Sequence, residues 1–199
     1  IVHWPSSGYR SPANDTVMVT DGSAILAMLE PGNSPLYTGD FVIGSSPSSG
    51  DMEDSMQFNG VIYVGSENYL DRYSISQSRW LSPIDMGDTV SRIVNDGTNI
   101  MVGTMGNGIH IVDSFGNVID TWDSSDGLQS DDVSDLDVEG DWVVAIHPED
   151  GASVFNTSVP GNVVALTEET TDLDSDNPTG VAIHLSLIHI SEPTRRVLI

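Results

Sequence analysis

The stretch VGTMGNGIHIVD, Val102–Asp113, holds three glycines within six residues: Gly103, Gly106 and Gly108. It has two readings. A glycine loop that wraps phosphate would make the chain a nucleotide binder. A hairpin turn would make it part of a β-scaffold. A phosphate loop leads into a helix, whose first amides hold the anion. These glycines lead instead into IHIVD, Ile109–Asp113, a strand-forming run. In the related stretches on either side the turn is SENY or HPED, so no phosphate cradle recurs. We therefore read Val102–Asp113 as a hairpin, with glycine supplying the positive φ that its turn needs.

The same pattern extends in both directions. Runs such as GVIYVGS, NIMVGT, NVIDTW, DWVVAIH and SVFNTS alternate with clusters of Gly, Asn, Asp and Ser. They read as short strands separated by turns. No segment keeps a capped helical period. SAILAMLE, Ser23–Glu30, comes closest, but TDG precedes it and PGN follows, so it too reads as a strand. Val64-Gly65, Val102-Gly103 and Val144-Ala145 align at spacings of 38 and 42 residues. DTVSRIVND (Asp88–Asp96) aligns with DDVSDLDVE (Asp131–Glu139). A weaker unit begins at Asp15, and another begins at Asn177. A period of about 40 residues with several strands per unit marks β-propeller blades. The expected fold is all-β: a partial propeller of about three to four four-stranded antiparallel blades. The blades are expected near residues 15–57, 58–88, 89–130 and 131–176.

These residues also carry a family likeness. Val102-Gly103-Thr104, Gly108, Asp113, Asp126-Gly127-Leu128, Val133 and Leu136 resemble the repeat of the two-component regulator propeller family. The likeness is good over Val90–Phe155, weaker over Phe58–Trp80, and faint elsewhere. DGL occurs in one unit alone, and Val144-Ala145 stands where Val-Gly is expected. The resemblance implies an extracytoplasmic sensing or binding module and brings no catalytic residues with it.

Composition narrows the setting. The 199 residues include 30 acidic and 6 basic side chains, for a formal charge of -24. Lysine is absent; the cations are Arg10, Arg72, Arg79, Arg92, Arg195 and Arg196. Nucleic acid and anionic membrane surfaces, which need clustered cations, are not expected partners. So many carboxylates suit a saline medium that screens their repulsion. We therefore expect an exported protein: extracellular, on the cell surface or periplasmic. Cysteine is absent, which removes disulfides and thiolate chemistry.

Candidate sites are few. Asp172, Asp174 and Asp176 in DLDSDN have the 1, 3, 5 spacing of calcium ligands, but Asn177 and Ile183 stand where an EF-hand loop has Gly and Glu. The competing reading is a solvated acidic loop, and no other cofactor is expected. The five histidines show no metal-binding spacing, and no G-x-S-x-G nucleophile motif occurs. We expect no enzyme. Arg92 aligns with Asp135 of the next unit, which places both on innermost strands. They form either a binding point for an anionic ligand at the axial mouth or a plain surface ion pair. Trp80, Trp122 and Trp142 read as packing between blades, or, where one is exposed near the axis, as a surface for stacking a sugar. Asn14-Asp15-Thr16 and Asn156-Thr157-Ser158 match N-glycosylation acceptors.

The tail differs from the rest. LSLIHISEPTR, Leu185–Arg195, resembles a transposase sequencing adapter translated in frame over eleven codons; the competing reading is a genuine final strand, since LIHI has strand character. Residues 185–199 are therefore expected to be adapter-derived, and 1–184 to be a propeller fragment. The leading function is a non-catalytic module presenting loops to a small ligand, glycan or protein. The alternatives are the extracytoplasmic sensor of a two-component protein and a propeller lyase or glycosidase. Fold alone does not choose among them.

Overall fold

A computed structural model describes residues 8–10, 17–20, 25–28, 40–44, 48, 52–159, 161–171, 175–184, 187–191 and 196–198. The chain forms two compact units, Ile1–Asp85 and Met86–Ile199. Among the described residues there is no α-helix. The fold is all-β, a partial propeller built from consecutive antiparallel meanders.

The first unit holds two sheets. One runs in order β1 (Gly8–Arg10), β2 (Val17–Thr20), β3 (Ile25–Met28) and β4 (Asp40–Gly44). The other runs β5 (Asp54–Phe58), β6 (Val61–Gly65), β7 (Tyr69–Ser74) and β8 (Arg79–Trp80), and β9 (Ile84–Asp85) pairs with the start of β7. The turn between β5 and β6 is Asn59-Gly60, both at positive φ, a pairing that suits a two-residue hairpin. Met52, Ile62, Val64 and Tyr73 form a small core. The Trp80 ring meets Tyr73 edge-on at 5.4 Å, so this tryptophan packs within its own sheet.

The second unit repeats the meander. Its first sheet is β10 (Val90–Asn95), β11 (Ile100–Thr104), β12 (Ile109–Val112) and β13 (Val118–Trp122). Its second is β14 (Asp135–Glu139), β15 (Trp142–His147), β16 (Gly151–Asn156) and β17 (Val163–Leu166). A three-stranded sheet follows: β18 (Gly180–His184), β19 (Leu187–Ser191) and β20 (Arg196–Leu198). β10 lies beside β14, and β14 beside β18, so these sheets converge at their first strands. Between the first two sheets Met101, Ile109 and Trp122 meet Leu136, Val143 and Phe155. The Trp122 ring stacks on Phe155 at 4.5 Å. Truncating a side chain as deeply buried as Phe155 to alanine costs about 3–5 kcal/mol.

Strand pairing fixes the repeat more tightly than the sequence does. Asp54 faces Gly65, Arg92 faces Gly103, and Asp135 faces Ile146. The spacing of 38 residues holds for the first step. The second step is 43 residues, so Ile146, not Ala145, is the counterpart of Gly103. The cause is visible in VVAI, Val143–Ile146, where every side chain is fully buried. A strand apolar on both faces gives no alternation by which to set its register.

The opening glycines do sit in a hairpin. Gly108 has φ 68 and leads into β12; its counterpart Gly151 has φ 82 and leads into β16. The Gly108 N–H donates to Asp131 O at 2.8 Å, and the Gly151 N–H to Asp176 O at 2.8 Å. Each turn thus holds the connector to the following sheet.

Candidate binding site

In three successive sheets the residue at or just past the end of the second strand anchors the turn after it. Ser66 Oγ donates to Tyr69 O at 3.2 Å, and Thr104 Oγ1 donates to Gly108 O at 2.9 Å. In the next sheet the position is His147, which is fully buried. Its Nδ1 lies 2.9 Å from Asp132 O, and its Nε2 lies 2.9 Å from Ser153 Oγ. The Gln129 N–H donates to the same Ser153 Oγ at 3.0 Å. One proton arrangement satisfies all four groups. Nδ1–H donates to the Asp132 carbonyl, and the Ser153 hydroxyl donates to a neutral Nε2. Burial holds the imidazole below its ordinary pKa, against opposing pulls from the Asp132 carbonyl and from Asp150, Asp132 and Asp131. Ser153 is sealed from solvent, so this serine–histidine contact ties the 123–134 connector to the sheet.

That connector forms one wall of a cleft of about 470 Å³. Its lining joins the apolar Ile111 and the edge of the largely buried Trp122 to Asp120, Thr121, Ser125, Asp126, Thr157 and Gly161. The Trp122 Nε1–H donates to Asp120 Oδ2 at 3.2 Å. Ser125 stands in a 3-10 turn, Ser124–Asp126, capped by Asp123, whose carboxylate takes the Ser125 N–H at 2.7 Å and the hydroxyl at 2.6 Å. Those two bonds hold the Asp123 carboxyl below its ordinary pKa. The lining residues include carboxylates and hydroxyls but no cation.

Arg92 and Asp135 come together on neighbouring first strands, with Arg92 Nε 3.2 Å from Asp135 Oδ1. Asp135 Oδ1 also accepts its neighbour Leu136 N–H at 2.9 Å, and Oδ2 accepts Val181 N–H at 2.9 Å. Asp137 repeats the motif, with Oδ2 accepting Ile183 N–H at 2.8 Å. These carboxylates lace β14 to β18. The arginine side chain is 43% exposed, which keeps the ion pair itself within about 1 kcal/mol. An anionic ligand at Arg92 would compete with Asp135. Of the proposed calcium ligands, Asp172 and Asp174 lie outside the described residues. Asp176 Oδ1 accepts the Glu168 N–H. Among the described residues no group of three His, Asp or Glu side chains is arranged to hold a metal. Trp142 is 45% exposed, unlike the packed Trp122.

Of the cleft residues, the sequence reading named Trp122 for packing, Asp126 within the DGL run and Thr157 within the acceptor motif, but it did not join them into one site. They come from two segments, 120–126 and 157–161, that only sheet packing brings together.

No family model matches the chain, and no curated protein matches it in sequence. Solved structures do match in fold. A computationally designed protein, Ika8, aligns with a TM-score of 0.72 at 10% identity, over 96% of this chain and 56% of its own. The extracellular domain assigned to hybrid two-component system BT3049 of B. thetaiotaomicron aligns at 0.70 and 13%, over 98% of this chain and 28% of its own. The WD40 domain of Neurospora crassa Pan2 aligns at 0.63 and 14%, over 92% and 57%. The chain therefore spans little more than half of Ika8 and Pan2, and less than a third of the BT3049 domain. At these identities the likeness is one of fold. Among the described residues no helix is long and apolar enough to cross a membrane.

Proposed function

We propose that the chain is part of a non-catalytic binding module of an exported acidic protein, and that the cleft beside Trp122 is its ligand site. The observation that carries this reading is the lining, in which the apolar Ile111 and Trp122 stand among hydroxyls and carboxylates. Such a lining accepts hydrogen bonds from hydroxyl-rich or cationic ligands, with Ile111 and the Trp122 edge as apolar contacts. The serine–histidine contact supports the same reading, because its hydroxyl is buried and already bonded. The test is amide and indole NMR of the chain, titrated with neutral oligosaccharides and with free amino acids. Binding should move the Trp122 indole and Ser125 amide signals, and Asp126→Asn or Thr157→Ala should weaken it. Ligands that shift only residues outside the cleft, or no binding in either set at millimolar concentration, would overturn the reading.

A second reading has its own support. The similar folds include an extracellular domain assigned to a two-component system, over nearly the whole of this chain. On that reading the cleft is part of a sensor. Long-read sequencing of the parent gene decides: a membrane span and kinase downstream favour the sensor, whereas export and adhesion modules favour a surface binder.

A further inference from the structure

We infer that Asn156 is an N-glycan acceptor, with the exposed Trp142 as the platform for its first sugar. This goes beyond ligand binding and needs only that the chain leave the cytoplasm. Asn156-Thr157-Ser158 has the acceptor spacing, and no proline stands at the middle position. Asn156 ends β16 at a turn closed by the Val159 N–H donating to Asn156 O at 3.0 Å, in which Ser158 and Val159 are exposed. Asn156 Oδ1 accepts the Ser158 N–H at 2.9 Å, and Thr157 N–H donates to Asp141 O at 2.9 Å. The carboxamide oxygen is thus engaged, while Nδ2 makes no hydrogen bond among the described residues.

The independent observation is Trp142. It is the cross-strand partner of Asn156, so the two side chains leave the same face of the sheet at neighbouring positions. The indole is 45% exposed, and Val159 and Val164 are also exposed in this hairpin. An uncovered tryptophan beside a carboxamide whose nitrogen is unbonded among the described residues is what the apolar face of a pyranose would cover. In the transfer, Nδ2 bonds to C1 of a lipid-phosphate-linked sugar. The C1–O bond to phosphate breaks, Nδ2 gives up one proton, and the lipid phosphate leaves as the anion.

The test uses the purified, folded full chain, a single-subunit oligosaccharyltransferase and its lipid-linked oligosaccharide. A peptide spanning 151–163 serves as the unfolded control. Mass spectrometry after proteolysis should find the glycan on Asn156. S158A keeps the backbone N–H that closes the turn and should lose the glycan entirely. W142A should be modified about threefold more slowly, in line with a lost aromatic contact. Release of the glycan should red-shift tryptophan emission in the wild type and leave W142F unchanged. The inference fails if the peptide is modified and the folded chain is not, if neither is modified, or if the glycan goes to Asn14 alone. Because the reaction is run in vitro, its failure is separate from any failure of the export reading.

Discussion

Replacing Gly108 with alanine tests whether the glycine-rich stretch is a structural turn. At φ 68 the residue is in the left-handed region, where an L side chain costs about 1–2 kcal/mol. The added Cβ would also sit 2.1 Å from Trp122 O and 3.1 Å from Trp122 C. Both are backbone atoms of β13, so no rotamer change relieves the clash. β12 and β13 must part, losing a ladder hydrogen bond worth about 1 kcal/mol. Trp122 must also shift on Phe155, at a further cost of about 1 kcal/mol. The total is about 3–4 kcal/mol. Gly140 is the control: its φ is 59, and a Cβ there meets nothing within 4 Å. Gly140→Ala should cost only the backbone part, about 1–2 kcal/mol. Urea unfolding in high salt, followed by tryptophan fluorescence, measures the difference. With a slope of about 1–3 kcal/mol per molar, the Gly108→Ala midpoint should fall about 1 M further than the control. Equal losses in the two variants would show that the clash is relieved cheaply, and the hairpin argument would fail.

Three further outcomes are expected. His147 has a folded pKa below its ordinary value, so the unfolded chain binds more protons. Its contribution is full above about pH 6.5 and falls as pH drops toward the folded pKa, by up to about 1.4 kcal/mol per unit; unfolding midpoints between pH 5 and 8 should show a step that His147→Gln flattens. With a net charge of -24, the unfolding midpoint should rise steadily from 0.1 to 1 M NaCl, as the screening length shrinks from about 10 Å to about 3 Å; a flat response would remove the saline argument. Asp137→Asn turns a charged acceptor for the Ile183 N–H into a weaker one and should cost about 1–2 kcal/mol. Hydrogen exchange should then quicken at the Ile183 amide and stay unchanged at Ile100.

Strand positions were legible because Val, Ile and Tyr runs alternate with turn residues, as in Val61–Gly65 and Ile109–Val112. Gly108 was legible as a turn for the same local reason, whereas Gly60 was read into the strand run GVIYVGS and in the structure closes the turn before it. Register was not: in VVAI the wrong alignment costs nothing in hydrophobicity, and only the partner of Asp135 settles it. Arg92 and Asp135 could be matched because their repeat offset is the same as the structural one. Asp137 could not, since the group it binds is a backbone N–H 46 residues later, and every residue but proline carries one. The cleft stayed hidden for a related reason. Its walls belong to two different sheets, and what brings Asp120 near Thr157 is the stacking of Trp122 on Phe155. In a stacked repeat, each strand's identity is written locally, whereas each site is a property of the seam. Function in such a chain is therefore better sought where two repeats differ at the seam than in any single motif. His147 standing where Thr104 and Ser66 stand is the clearest such difference here.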